Sequence, residues 1–136
     1  VTNRLGDGYA SGEISGMKFA YNTAPGKTYR INDWETDALA MVWSEDRILV
    51  AHSKVFRNHK GLSYESALPV TVELFGDSIR YSMPDHGRLI IDVKEKPVMV
   101  LLNERKIKNF QYNSRLHHLT LDITEKEGDI VIKYKK

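Results

Sequence analysis

From Asp37 onward the apolar residues recur at every second position, and turn-forming residues interrupt them about every ten residues. In an extended chain alternate side chains face opposite sides, so this rhythm buries one face of a strand and leaves the other wet. Ala38 to Trp43 and Arg47 to Ala51 flank the polar link Ser44-Glu45-Asp46 and read as a hairpin. Trp43 shares a face with Leu39 and Met41 and is assigned to the core. Val70, Val72 and Leu74 precede a Gly76-Asp77 turn, and Ile79, Tyr81 and Met83 lead into a Pro84-Asp85-His86-Gly87 turn. Leu89, Ile91 and Val93 continue the alternation, and Pro97 precedes a fully apolar run, Val98 to Leu102, suited to a central strand covered on both faces. Past an Asn103-Glu104 turn, Ile107, Phe110 and Tyr112 form a less regular strand. Leu119, Leu121 and Ile123 follow, then a Glu127-Gly128-Asp129 turn, then Ile130, Ile132 and Tyr134.

Strands of five to eight residues at this spacing are the mark of a sandwich or a barrel. No segment carries a 3.6-residue apolar stripe of helical length. The expected fold is all-β: an antiparallel β-sandwich of about ten short strands, with a closed β-barrel as the alternative. The first 36 residues are less regular. Ile14, Met17, Phe19 and Tyr21 suggest one strand with a bulge near Gly16, Asn22 to Lys27 a loop, and Tyr29 and Ile31 a short strand. No linker divides the chain, so residues 1–136 are expected to form a single domain.

Composition removes several classes of function. With no cysteine, thiol nucleophiles, disulfides and Cys-held metals are excluded. Twenty Lys and Arg against eighteen Asp and Glu leave a net charge of +2, with the signs interleaved except at Lys133, Lys135 and Lys136. A nucleic-acid partner calls for a larger excess on one face, so none is expected. No apolar run is long enough for a membrane helix, and no membrane insertion is expected. The chain opens on Val1 and shows no signal peptide, which suggests a mature or excised segment.

Reaction motifs are missing: no G-x-S-x-G, no H-E-x-x-H and no phosphate-cradling Gly-rich loop occurs. Of five histidines, His117 and His118 are adjacent and point apart in a strand, His52 lies in a strand run, and His59 and His86 lie in polar loops. Asp33, Glu35 and Asp37 alternate along one short segment. They are candidate Ca²⁺ ligands, since that ion takes hard oxygens, or else the solvated edge of a loop. Trp34 lies among Asn32, Asp33, Glu35 and Thr36, the setting of a ring that stacks on a pyranose while polar neighbours take its hydroxyls. It either presents that ring or folds back to plug the end of the sandwich. Tyr29 and Tyr64 are lesser candidates for the same contact.

The stretches DALAMVWSEDRILVAHSKVF (Asp37 to Phe56), PVTVELFGDSIRYSM, GRLIIDV, KPVMVLLNERKIKNFQYN and LTLDI carry a resemblance in their order. Together they resemble the C-terminal accessory β-sandwich domain of bacterial polysaccharide-degrading enzymes, both lyases and glycoside hydrolases. Those domains commonly carry a V-x-V-N-G-K-x-V hairpin, matched here by Val98, Val100, Leu102, Asn103, Glu104, Arg105, Lys106 and Ile107. Glu104 replaces the glycine, which is expected to change the turn type. The resemblance implies a non-catalytic module of a secreted bacterial enzyme, extracellular or periplasmic, whose partner is a polysaccharide or a catalytic domain of the same protein. It carries no catalytic residue onto this chain. Two other readings stand beside it. One is a lipocalin-like barrel with Tyr9, Gly12 and Gly16 at its mouth. The other is a hydrolase with a site assembled from distant loops, such as His52 or His86 with Asp85.

Overall fold

The computed structural model describes residues 8–57, 63–75, 78–107 and 110–134. Over these the chain is all-β, and no helix is long and apolar enough to cross a membrane. Fourteen strands are described: β1 (Tyr9–Ile14), β2 (Met17–Asn22), β3 (Tyr29–Ile31), β4 (Trp34–Thr36), β5 (Ala40–Trp43), β6 (Arg47–Arg57) and β7 (Tyr64–Phe75), followed by β8 (Ser78–Ser82), β9 (Gly87–Asp92), β10 (Met99–Leu102), β11 (Arg105–Lys106), β12 (Gln111–Asn113), β13 (His118–Ile123) and β14 (Glu127–Lys133). All pair antiparallel in one continuous sheet.

β6 and β7 give that sheet its shape. At 11 and 12 residues they are twice the usual strand length, and each half takes different neighbours. The first half of β6 and the second half of β7 lie in the order β1-β2-β5-β6-β7-β8-β14-β10-β11. The other halves carry β4 and β3 on one side and β9, β13 and β12 on the other. The sheet thus folds back on itself, and rings from the two arms meet. Tyr9 of β1 lies 5.4 Å from Tyr29 of β3, and Trp34 of β4 lies 5.3 Å from Trp43 of β5, edge to face. Between the arms Met41, Val50, Phe56, Val70, Tyr81, Leu89, Ile91, Leu119, Leu121 and Ile130 form one core, each nearly inaccessible to water.

This arrangement overturns the closed barrel. Among the described residues β1, β11, β3 and β12 each pair on one side only, so the sheet has free edges and encloses no lumen. Tyr9, placed at the barrel mouth on that reading, is instead core.

The bend has a local cause. Ala51 and His52 face the single residue Thr71, because Val50 pairs with Val72 and Ser53 with Val70. This is a bulge, and His52 takes a φ of 53° within it. On β7 the ladder skips from Val70 to Glu65, a gap that contains Pro69, which has no N–H to contribute. Backbone groups stripped of ladder partners need others. The link between β4 and β5 runs beside the bend and supplies them. Asp37 Oδ1 accepts from the amides of Lys54 (2.9 Å) and Val55 (3.2 Å). The Thr36 hydroxyl donates to the Val55 carbonyl at 2.6 Å, and the Leu39 amide donates to the Ala51 carbonyl at 3.0 Å. Leu39, expected on the same face as Met41 and Trp43, is held at the bend instead and is 42% exposed.

Two turns differ from expectation. No bulge occurs at Gly16: Ser15 (φ 49°) and Gly16 (φ 81°) make a two-residue turn that joins β1 to β2 as a hairpin. At the β10–β11 turn Asn103 and Glu104 have φ of 51° and 67°, both left-handed, so Glu104 keeps the primed turn that Asn-Gly would make. The Asn103 side chain holds the turn in place. Its Oδ1 accepts from the Asp129 amide at 2.9 Å and its Nδ2 donates to the Glu125 carboxylate. A Cβ on Gly128 would meet that Oδ1 at 2.5 Å, so a larger residue there would displace the Asn103 side chain from these bonds. The expected Gly76-Asp77 turn, His59, Lys135 and Lys136 lie outside the described residues.

Two predictions follow from these contacts. Glu104→Gly relieves a left-handed non-glycine residue and should stabilise the domain by about 1 kcal/mol. The denaturant midpoint would rise at unchanged slope; a fall would mean that the Glu104 side chain contributes more than its backbone costs. Asp37→Ala orphans two amides at the bend and should cost about 2–4 kcal/mol, whereas Asp37→Asn, which keeps the acceptor oxygen, should cost less than half as much in the same titration.

Candidate functional site

The fold distributes the six candidate residues between core, bend and surface. Tyr29 and Tyr64 are buried, so their rings offer no face to a sugar. The Tyr29 hydroxyl donates to the Ala38 carbonyl at 2.9 Å, and the Tyr64 hydroxyl bonds to that of Ser53 beside the bulge. Burial pushes the Tyr29 phenol well above its usual range, with the Asp37 carboxylate adding to the effect. Burial also raises the Tyr64 phenol, opposed by its bond to Ser53 and reinforced by Asp37 and Tyr29. The Tyr81 phenol, which donates to the Glu125 carbonyl, is pushed up to about 12 by burial and then by the Glu125 carboxylate.

The three carboxylates go separate ways. Asp33 sits in the β3–β4 turn. Glu35 lies on the outside of β4 between Arg57 (2.9 Å) and Arg30 (3.5 Å), and Arg57 continues to Glu65 at 3.5 Å. Asp37 serves the bend. Among the described residues no group of three or more His, Asp or Glu side chains is arranged to hold a metal ion. The histidines are also dispersed. His118 contacts Asp92 at 3.1 Å, His117 faces Tyr112, and the Asp85 carboxylate accepts from the backbone amide of His86.

Trp34 is half-buried, edge-on to Trp43 and tilted against Phe56 at 5.8 Å. It lines a cleft of about 610 Å³ at one end of the two layers, between the β3–β4 turn, the β5–β6 turn and the end of β7. Asn32, Ser44, Glu45, Asp46 and Arg47 line the cleft as well, together with Phe75, which is 51% exposed. The Arg47 guanidinium lies 5.0 Å from the Phe75 ring centre and 3.6 Å from Glu73. Phe75 carried no signal in the sequence beyond ending an alternating strand. Only the pairing Arg47↔Phe75 across β6 and β7 brings it to Trp34.

A second feature was not anticipated in this form. The outer face of the longer arm is apolar at one end and charged at the other. Register places Phe19, Val42, Leu49, Glu73, Arg80 and Asp129 in one cross-strand row. Ile14 and Met17 pair beside it, 56% and 36% exposed, and Tyr21 opposite Ala40 is 49% exposed. The outer face of the other arm carries the Arg30–Glu35–Arg57–Glu65 ladder and the Arg88–Asp122 pair at 3.2 Å. Compared with known proteins, the chain matches no protein-family model and no curated protein.

The raised phenols have a consequence for stability. The folded state holds these protons more tightly than unfolded tyrosine, which releases them near pH 10. Their contribution is therefore complete below about pH 10 and is lost as pH rises above it. Guanidinium midpoints should fall as pH rises from about 10 toward 12, and the fall should be smaller in Tyr64→Phe. An equal fall in both would remove Tyr64 from the account.

Proposed function

We propose that the chain is a non-catalytic accessory domain of a secreted bacterial polysaccharide-degrading enzyme, seated on a catalytic domain through the outer face of β1, β2, β5 and β6. The observation that carries this reading is the patch of Ile14, Met17, Phe19, Tyr21, Val42 and Leu49 on the outside of a sheet whose inside already packs a full core. Outward strand positions in a two-layer fold are ordinarily polar, as they are on the opposite arm. A contiguous apolar patch bordered by charge marks an interaction surface. The sequence stretches that resemble those of C-terminal accessory domains supply the class of partner, and with it an extracellular or periplasmic setting.

The other readings have less support. A carrier of the lipocalin type needs an enclosed interior, and this sheet stays open with its interior filled by side chains. A hydrolase needs a nucleophile or an acid beside an oriented base, and Asp85 and His86 meet only through a backbone amide. Contact with a glycan is favoured by one separate observation, the aromatic cleft.

Hydroxyl-radical footprinting tests the docking. Met17 and Tyr21 should be oxidised readily in residues 1–136 alone and be protected in the longer secreted polypeptide that contains them. Equal labelling in both would rule out this face as the contact. Met17→Glu with Tyr21→Glu should leave the isolated domain as stable as before, since exposed substitutions cost about 0.5 kcal/mol or less, while abolishing that protection.

A further inference from the structure

The cleft at the end of the two layers is distinct from the docking face and combines features that the docking does not require. We infer that it binds a neutral pyranoside, a unit of an uncharged glycan chain, and discriminates against uronate and sulfated sugars. The assignment of a glycan rests on the reading above; the discrimination rests on the charges of the cleft itself.

Size and shape come first. A volume of about 610 Å³ lies within the roughly 300–1,000 Å³ of ordinary ligand sites. Trp34 of β4 and Phe75 of β7 both line it, and aromatic surface of this kind covers the apolar C–H face of a sugar ring. Trp34 is fixed by Trp43 and Phe56, so little side-chain freedom is lost when a ligand arrives.

The rim then selects. The Asn32 amide offers a donor and an acceptor, Ser44 a hydroxyl already turned on Asp46 at 3.0 Å, and Glu45 and Asp46 acceptors with full charge. Carboxylates accept strongly from sugar hydroxyls, as charge-assisted bonds do. They repel a second anion brought alongside, because like charges within a few ångströms disfavour each other. The lone cation among the lining residues, Arg47, does not offset them: it is engaged by Glu73 at 3.6 Å and by the Phe75 ring. An uncharged sugar therefore gains both the ring contact and the carboxylate bonds, whereas a uronate meets the ring contact and a repulsive rim.

The test uses residues 1–136, titrated calorimetrically and by backbone amide shifts with xylo-, cello- and manno-hexaose and with hexamers of galacturonate and mannuronate. At least one neutral hexaose should bind with an affinity nearly independent of salt. It should shift the amides of Asn32, Ser44 and Asp46, and bind roughly three- to tenfold more weakly to Phe75→Ala. Phe75→Tyr should restore the affinity, and both variants should unfold at the wild-type temperature, since the ring is half exposed. Tighter binding of an acidic hexamer, indifference to Phe75→Ala, or no binding of any neutral hexaose would each overturn the inference. None of these outcomes bears on the footprint of the docking face, so the two proposals fail separately.

Discussion

A strand that bends sharply gives up ladder hydrogen bonds at the bend, and everything in this domain depends on where those bonds go. In β6 the deficit falls at Ala51 to Val55, and Thr36, Asp37 and Leu39 meet it from the crossing between β4 and β5. The same crossing carries the chain from one layer to the other. One short segment thus satisfies the bend and exploits it, and the two layers share β6 and β7 instead of being joined by loops alone. Because the layers share covalent strands, Trp34 and Trp43 are held in contact across the gap, and the end of the sandwich becomes a cleft with a rigid aromatic wall.

The two outer surfaces follow different rules for a physical reason. Exposed ion pairs contribute little to stability, typically below about 1 kcal/mol each. They do keep a sheet face wet and unattractive to other chains. The arm bearing Arg30, Glu35, Arg57 and Glu65 has that protection. The β1–β2–β5–β6 quarter exposes Ile14, Met17 and Tyr21 instead. The polarity changes within a single row, between Leu49 and Glu73, so the apolar patch has a definite border at the β6–β7 pair.

Much of this was legible in the alternation of apolar residues. The hairpin around Ser44 to Asp46, the strands through Val72, Tyr81, Ile91, Leu121 and Ile130, and the inward Trp43 all follow from period two. What escaped is instructive. β7 begins at Tyr64, well before the regular run from Val70, because Pro69 and the ladder gap interrupt the pattern while the strand continues. Asp37 read as a metal-ligand candidate because its spacing from Asp33 and Glu35 is all a sequence displays; its partners, the amides of Lys54 and Val55, lie seventeen and eighteen residues away. Tyr29 and Tyr64 read as surface rings because the short or interrupted strands around them give no periodicity from which to infer burial. Phe19, Val42 and Leu49 were visible as apolar residues, yet their common outward face is a property of register between strands.

The position of β14 has a consequence for how the domain comes into being. β14 follows every other described strand in sequence, yet it lies inside the longer arm between β8 and β10, with Ile130 fully buried. During synthesis β10 and β11 emerge before the strand that will connect them to the sheet. The Asn103 turn likewise waits for Gly128 and Asp129 to receive it. A chain lacking β14 still holds both bent strands and most of the core residues, but leaves one side of β8 unpaired. β14 is therefore the only described strand that joins β8 to the β10–β11 hairpin, and the arm is continuous only once it is in place.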